Sequence, residues 1–313
     1  MTGTMLHSGW YLPVFLSELT AEVSPLAIGD RRLVAVRENG RVRIFDGSCP
    51  HRGAHLGYGG KLDGNCLVCP FHGKRIVLGD TAKHWHVPEY EVAQWGDAVF
   101  VRLSADEDGD RGFSETHKEL DAAYPLVAAL VQPIAAAADL ITENAFDADH
   151  FTALHKVPKL AGMQTRPGDH GELAIEGEFL MQTSPWQAER IKEQVRWNTV
   201  RTGTVRWDYR ARFYARAFSP GLVVTLFGPP ENRHVIITAA VPAGSGCVAR
   251  VAVGVQEDQA EELPVLIAGS LRALAEDRVL WEHLDLGIVP RYDARDAPVI
   301  AFRAFCADFG RLP

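Results

Sequence analysis

Two short stretches constrain this chain more than anything else in it. Cys49-Pro-His51-Arg-Gly53 and Cys69-Pro-Phe-His72-Gly73 place two thiols and two imidazoles within 24 residues, with 17 residues between the pairs. Each pair sits beside a proline and a glycine, the residues that shape tight loops. Such loops present ligands from two hairpin tips, so this region needs a small β-fold that brings the tips together. Thiolates and imidazoles in this number can hold a metal. Two readings fit the spacing. Four ligands close a tetrahedral zinc site. Alternatively, two Cys hold one iron and two His the other iron of a [2Fe–2S] cluster, neutral imidazoles raising its potential. Cys66 and His55 lie nearby but outside the pattern, and read as a small core residue and a surface imidazole.

The length of 313 residues calls for one large or two medium domains, each with its own core. With 47% apolar and 23% charged residues the chain is an ordinary globular protein, and wholesale disorder is excluded. A net charge of −8 argues against nucleic acid as the main partner. Five cysteines form no disulfide framework; a reducing cytoplasm suits them, with Cys49 and Cys69 as ligands and Cys66, Cys247 and Cys306 as spectators. The first 16 residues carry no Lys or Arg and no small-residue cleavage site, so no signal peptide is expected. The apolar stretch from Tyr124 to Ile141 is broken by Gln132, Pro133 and Asp139. It is a poor membrane span and reads as a buried approach to a helix.

Residues 1–104 read as short strands and turns. Arg31–Arg37 and Arg41–Phe45 flank Glu38-Asn39-Gly40, a hairpin signal, and Glu91–Val92 and Ala98–Leu103 flank Gly96-Asp97. An acidic, glycine-containing linker is expected over 105–115. The remainder, 116–313, opens helically from about Ala135 to His155. Strand-like runs follow at Glu172–Leu180, Trp207–Phe218, Leu222–Phe227, His234–Val241 and Val248–Val255, then a helix from about Glu261 to Glu282. The strands predict an antiparallel sheet and an α+β class. The charge divides unevenly. Residues 1–103 hold 11 Lys+Arg and 10 Asp+Glu, net +1, which leaves the rest at net −9.

A second constellation lies in the helical opening, Glu143-Asn144-Ala-Phe-Asp147-Ala-Asp-His150-Phe-Thr-Ala-Leu-His155. Asn144, Asp147, Phe151 and Leu154 recur at helical steps and define one face. His150 and His155 are five apart, about 140° on an ideal helix, so they share a metal only if the helix ends or bulges between them. A third ligand is needed. On the helix over 261–282, Ile267, Leu271, Leu274 and Trp281 form an apolar stripe, and Asp277 falls on it. A carboxylate there is costly unless paired or metal-bound. Glu276, Glu282 and Asp285 lie off the stripe and read as solvated. His150, His155 and Asp277 would make a two-His-one-carboxylate triad with open positions on iron. The competing reading of Asp277 is a buried ion pair with an arginine. His84-Trp85-His86 reads as an alternating strand rather than a metal pair.

A cluster motif of this form, then N-x-x-D-x-x-H-x-x-x-x-H, then E-D-x-x-x-W at Glu276–Trp281, resembles the oxygenase component of Rieske non-haem iron oxygenases. Gly9-Trp10-Tyr11, the run from Cys49 to Gly60, and Cys66–Gly73 are most similar to the steroid-acting branch, the 3-ketosteroid 9α-hydroxylases and cholesterol 7-desaturases. Lys74 stands where that branch has tryptophan. The resemblance implies an all-β Rieske domain followed by a helix-grip-like catalytic domain with an antiparallel sheet and iron-binding helices. It implies a [2Fe–2S] cluster on Cys49, His51, Cys69 and His72, and mononuclear Fe(II) on His150, His155 and Asp277. Dioxygen would be the co-substrate, with electrons from NAD(P)H through a reductase or ferredoxin. In the family a homotrimer forms, Asp147 bridges His72 of one subunit to His150 of the next, and Asn144 sits near the iron. Arg52, Lys61, Lys74 and Arg75 could dock an acidic electron donor. The substrate implied is an apolar, polycyclic or steroid-like small molecule. An aromatic O- or N-demethylase, a non-catalytic electron carrier and a zinc-stabilised binding module are the other readings.

Overall fold

The computed structural model describes residues 6–79, 83–104, 109–181, 209–310 and 312. Strands dominate, in three sheets. A six-stranded sheet runs in the order β1 (Trp10–Phe15), β10 (Ala98–Arg102), β9 (Glu89–Trp95), β4 (Arg41–Asp46), β3 (Arg31–Glu38) and β2 (Val23–Ile28). The expected hairpin joins β3 to β4, and both turn residues, Asn39 and Gly40, have positive φ (51° and 79°), as a tight two-residue turn requires. The hairpin at Gly96-Asp97 joins β9 to β10. A small sheet follows, of β5 (Lys61–Leu62), β6 (Cys66–Val68), β7 (Arg75–Leu78) and β8 (His86–Val87).

The seven-stranded antiparallel sheet runs β11 (Leu126–Ile134), β17 (Gly246–Gly254), β16 (His234–Ala243), β15 (Leu222–Gly228), β14 (Tyr209–Ser219), β13 (Leu173–Met181) and β12 (Lys159–Pro167). Five of these answer to the strand runs read in the sequence. The two edge strands differ from expectation. Half of the stretch Tyr124–Ile141 forms β11, a part-exposed edge strand paired along β17, rather than a buried approach to the next helix. Pro133 is tolerated there because an edge strand can spare a donor. Strand β12 has half-exposed, unpatterned residues, which hid it from a periodicity test.

Five α-helices are described: α1 (Phe113–Leu120), α2 (Ala138–Glu143), α3 (Ala148–Ala153), α4 (Leu263–Trp281) and α5 (Ala297–Ala307). The stretch expected to link two domains has its own contacts. Asp110 accepts from Trp10 Nε1 (2.8 Å) and from the Ser114 hydroxyl (2.6 Å), and Phe113 opens α1 with its ring fully buried. Residues 105–108 of that stretch lie outside the described residues.

One face of the large sheet, carrying Leu222, Val224, Val235, Ile237 and Ala239, packs on Trp10, Phe15, Trp95, Phe100 and Phe113. Each of those large side chains contributes on the order of 2–3 kcal/mol by burial. Ser219 Oγ donates to the Trp10 carbonyl at 2.7 Å within this seam, and Arg250 pairs with Glu18 at 3.2 Å across it. The opposite face carries Ile175, Phe179, Phe213 and Val223, and takes Phe146 and the α5 side chains Phe302 and Phe305. Leu274 and Trp281 of α4 pack beside them on Ala240 and Val251. Among the described residues no helix is long and apolar enough to cross a membrane.

Candidate metal centres

The two Cys/His loops have the same backbone construction. Cys49 N–H donates to the Ala54 carbonyl and Gly53 N–H to the Cys49 carbonyl; Cys69 N–H donates to the Lys74 carbonyl and Gly73 N–H to the Cys69 carbonyl. Both turns need φ near +70° at the glycine, 71° at Gly53 and 64° at Gly73, a region costly for any side chain with a Cβ. The loops meet. The thiols of Cys49 and Cys69 are buried together among Leu56, Leu67 and Ile76. His51 and His72 face each other edge to face at 4.9 Å, and His51 Nδ1 is buried without a hydrogen-bond partner.

Burial pushes the Cys49 thiol above its ordinary pKa, and the neighbouring Cys69 thiol adds to this. Two adjacent buried thiols become thiolates only beside a strong positive charge, and a metal cluster supplies it. The donor set therefore fits a [2Fe–2S] group with Cys49 and Cys69 inside and His51 and His72 at the rim. His84-Trp85-His86 is a bend rather than an alternating strand, with only His86 in β8. Trp85 turns its ring to within 5.8 Å of His51, and Lys74 Nζ lies 4.4 Å from the same ring. The basic docking set is partly committed locally. Arg75 pairs with Asp63 and Lys74 covers Trp85, while Arg52, Lys61, Tyr58 and Phe71 all stay exposed. Cys66 is half-buried in β6, and His55 Nδ1 accepts from Gly57 N–H at 3.1 Å.

The second constellation is not one continuous helix. Helix α2 ends at Glu143, a 3-10 turn carries Asn144–Phe146, and α3 starts afresh at Ala148. Asp147 breaks the run. At φ −94° and ψ 98° it is the N-cap of α3, its carboxylate accepting from Asp149 N–H (3.1 Å) and His150 N–H (3.4 Å). Asp side chains compete for backbone donors in this way, which corrects the reading of Asn144, Asp147, Phe151 and Leu154 as one helical face. Helix α3 then stops between the two histidines, with Lys156 left-handed at φ 58°. The early stop lets His150 and His155 converge, their ring centroids 5.1 Å apart.

Asp277 comes in from α4, 8% exposed between Leu274 and Trp281, and the stripe places it where expected. Among the described residues no arginine pairs with it. Ligand atoms of His150, His155 and Asp277 lie within 4.8 Å of one another. His155 Nε2 is 3.2 Å from Asp277 Oδ1, yet that oxygen is buried with no donor aligned on it. The other nitrogen of each histidine is already held. His150 Nδ1 bonds the Asp147 carbonyl, and His155 Nδ1 bonds Glu276 Oε2 at 2.9 Å. Each imidazole thus turns Nε2 toward the gap, the arrangement a metal-binding histidine needs. An unpaired buried carboxylate oxygen facing two such nitrogens fits a divalent cation. The histidines titrate in opposite directions. Burial pulls His150 below the ordinary imidazole value, whereas the nearby Asp277 carboxylate, ahead of Glu276, holds His155 above it.

Glu276 is the side chain of this candidate site that the sequence reading left as solvated. It stands one residue from the stripe, on the solvent side of α4, and acquires a partner only when His155 arrives from 121 residues away. Asn144 is also placed by a distant residue: its Oδ1 accepts from Trp281 Nε1 at 3.3 Å, tying the end of α4 to the turn before α3.

Comparison with known proteins agrees with this geometry. Residues 9–95 match the Rieske [2Fe–2S] domain model. Cholesterol 7-desaturase nvd of Bombyx mori is 32% identical over 104 residues, 33% of this chain and 22% of that protein, so the match spans about a fifth of the relative's length. Among solved structures, dicamba monooxygenase bound to 3,6-dichlorosalicylic acid superposes with a TM-score of 0.71 at 18% identity, covering 97% of both chains. The NdmA QL mutant of Pseudomonas putida CBB5 with caffeine gives 0.67 at 17%, covering 96% of this chain and 90% of that one. The chain therefore carries a Rieske [2Fe–2S] domain sequence over residues 9–95 and shares, over nearly its whole length, the fold of these solved oxygenase structures.

Proposed function

We propose that this chain is the oxygenase component of a Rieske non-haem iron monooxygenase acting on an apolar small molecule. The observation that carries the reading is the convergence of His150, His155 and Asp277 in a chain that also brings together Cys49, Cys69, His51 and His72. Cluster and iron when bound would supply one-electron transfer and dioxygen activation. The residues do the rest. Glu276 and the Asp147 carbonyl fix both imidazoles with Nε2 inward, and Asp277 brings the negative charge. Phe151, one residue beyond His150, opens an aromatic face with Phe179 and Phe213 that suits a ring-bearing apolar substrate and excludes water.

The Asp147 carboxylate is 38% exposed at its cap and lies 3.9 Å from His150 Nδ1. That exposure supports a role as a bridge to His72 of a second copy in a homotrimer, with Asn144 as a neighbour of the iron held by Trp281. The exposed Arg52, Lys61, Tyr58 and Phe71 around the cluster loops support docking of a ferredoxin or reductase fed by NAD(P)H. The chain divides, in this reading, into a cluster domain (1–104), a connecting stretch (105–115) and a catalytic domain (116–313). A reducing cytoplasm suits five cysteines that are all unpaired.

Purified protein should carry about three irons per chain, two in a cluster with a reduced-state EPR signal. It should consume dioxygen with a surrogate reductase and a sterol, terpenoid or aromatic substrate. Asp277→Ala should lose the third iron and all turnover with the cluster spectrum unchanged. Two irons per chain in the wild type, or undiminished turnover in the variant, would sink the reading in favour of an electron carrier.

A further inference from the structure

Trp85 and Lys74 flank the Cys/His loops and take no part in the roles proposed above. Both are anchored through their backbone. The Lys74 carbonyl accepts from Cys69 N–H at 2.8 Å, which closes the second loop. The Trp85 carbonyl accepts from Val77 N–H at 2.9 Å, which pins the bend before β8 to β7. The indole then packs on the apolar cluster that holds Cys49, Cys69, Leu56 and Leu67, its centroid 5.8 Å from that of His51. Lys74 Nζ lies 4.4 Å from the centre of the same indole. The two imidazoles are therefore covered unequally. His51 is half-buried with Trp85 beside it, whereas His72 is exposed and its neighbouring ring, Phe71 at 3.9 Å, is exposed as well.

The positive charge on Lys74 has an unusual setting. Arg75, next to it, is exposed and paired with Asp63. Lys74 is half-buried, and among the described residues its partner is the face of an indole rather than a carboxylate. Such a contact holds an ammonium against a ring when water would otherwise draw it away. A charge fixed in a half-buried place is screened less than one in open solvent. Arg52, next to His51 in sequence, is also cationic but exposed. An electron added to a [2Fe–2S] group adds one negative charge, so a positive charge held nearby favours the reduced state.

We propose that Lys74, held against Trp85, raises the reduction potential of the Rieske cluster, and that Trp85 is a positioning residue acting through Lys74. The carrier of the effect is one fixed charge on the His51 side of the site, not the general basicity of the loops. The proposal rests on cluster ligation by Cys49, His51, Cys69 and His72. It is independent of the triad and of the substrate.

The test is potentiometric titration of the purified full chain at one fixed pH, with the reduced cluster followed by EPR. Lys74→Met keeps the length of the side chain and removes its charge. The equilibrium constant for one-electron reduction should fall about tenfold, which reads as a potential about 59 mV lower. Lys74→Arg keeps the charge and should stay within about twofold of the wild type. Arg52→Met removes an exposed charge and should cost less than about threefold. Trp85→Leu should release the ammonium to water, so that adding Lys74→Met to it costs less than about threefold, a double-mutant cycle. Trp85→Phe keeps a ring face and should restore most of the coupling, and it also serves if the leucine variant fails to fold. An unchanged potential in Lys74→Met, an equal fall in Arg52→Met, or a full tenfold fall for Lys74→Met in the Trp85→Leu background would each overturn the proposal. Failure of the cluster assignment shows differently, as wild-type protein with no reduced-state EPR signal.

Discussion

The two candidate metal centres are built on opposite plans. The cluster loops draw all four donors from 24 residues, and each loop is closed by its own backbone bonds and one left-handed glycine. The triad draws on two helices more than 100 residues apart in sequence, and local bonds from Asp147 fix only His150. Its geometry depends on an N-cap that breaks one helix, an early stop that turns His155 inward, and a carboxylate from α4 that clamps His155. A site made from local turns is sensitive to its own residues. A site made from tertiary contacts is sensitive to residues that never touch the metal.

The largest expected effect separates the two plans directly. Cys69→Ser should abolish the visible cluster spectrum and lower stability by several kcal/mol, since metal binding by such loops is also folding free energy. Iron at the triad should survive, as metal analysis of the variant would show; its loss would mean that the sites are coupled through the fold. Glu276→Ala comes next. Freed from its carboxylate, His155 can rotate, and affinity for Fe(II) or Co(II) at the triad should fall about 10- to 100-fold, the usual cost of removing such a partner. The cluster EPR signal should not move, and Glu276→Gln should restore part of the affinity. An unchanged metal affinity in Glu276→Ala would show that the triad is held by packing alone.

A smaller effect concerns the seam between the two regions. His7 stacks on Tyr11 at 4.5 Å and meets Phe309 edge-on, and burial, only partly offset by its bond to the Ser8 carbonyl, takes it down to about 4. Its folded value lies below the ordinary 6.5, so the unfolded chain binds the proton first. The stability it contributes is complete above about pH 6.5 and is lost as pH falls toward 4, at up to about 1.4 kcal/mol per pH unit. Urea unfolding of His7→Gln should show a flatter pH dependence across that window than the wild type. The smallest effect is local. Gly73→Ala meets nothing within 4 Å, so its cost is the left-handed backbone alone, about 1 kcal/mol in thermal unfolding. A much larger loss would mean that the loop transmits strain to the buried thiols.

The same contrast governs what could be read from sequence. The cluster loops were legible because spacing, proline and glycine are local signals. Asp277 was legible as a carboxylate on an apolar stripe. The strands of the large sheet were legible where the strand is largely buried, as in β15 and β16, and illegible at the edges β11 and β12, where burial is mixed. Glu276 and the capping role of Asp147 were not legible, because the partner of one and the helix break at the other exist only in three dimensions. Trp85 was misread for a similar reason. Its alternation with two histidines mimics a strand, while its ring is bent back over His51.

The packed seam bears on how such a protein could be taken apart. The stretch matching the cluster-domain family ends at Trp95, but β10, which lies between β1 and β9, begins only at Ala98. Cutting at that boundary would remove an inner strand of a sheet and lay bare Trp10 and Trp95, which are 1% and 0% exposed in the intact chain. The part that carries the Cys/His loops is therefore not a cassette. Chimeras that exchange it between relatives would have to carry Trp10, Phe100, Phe113 and the facing residues of β15 and β16 as a matched set, and recombination would favour breakpoints that leave this seam whole.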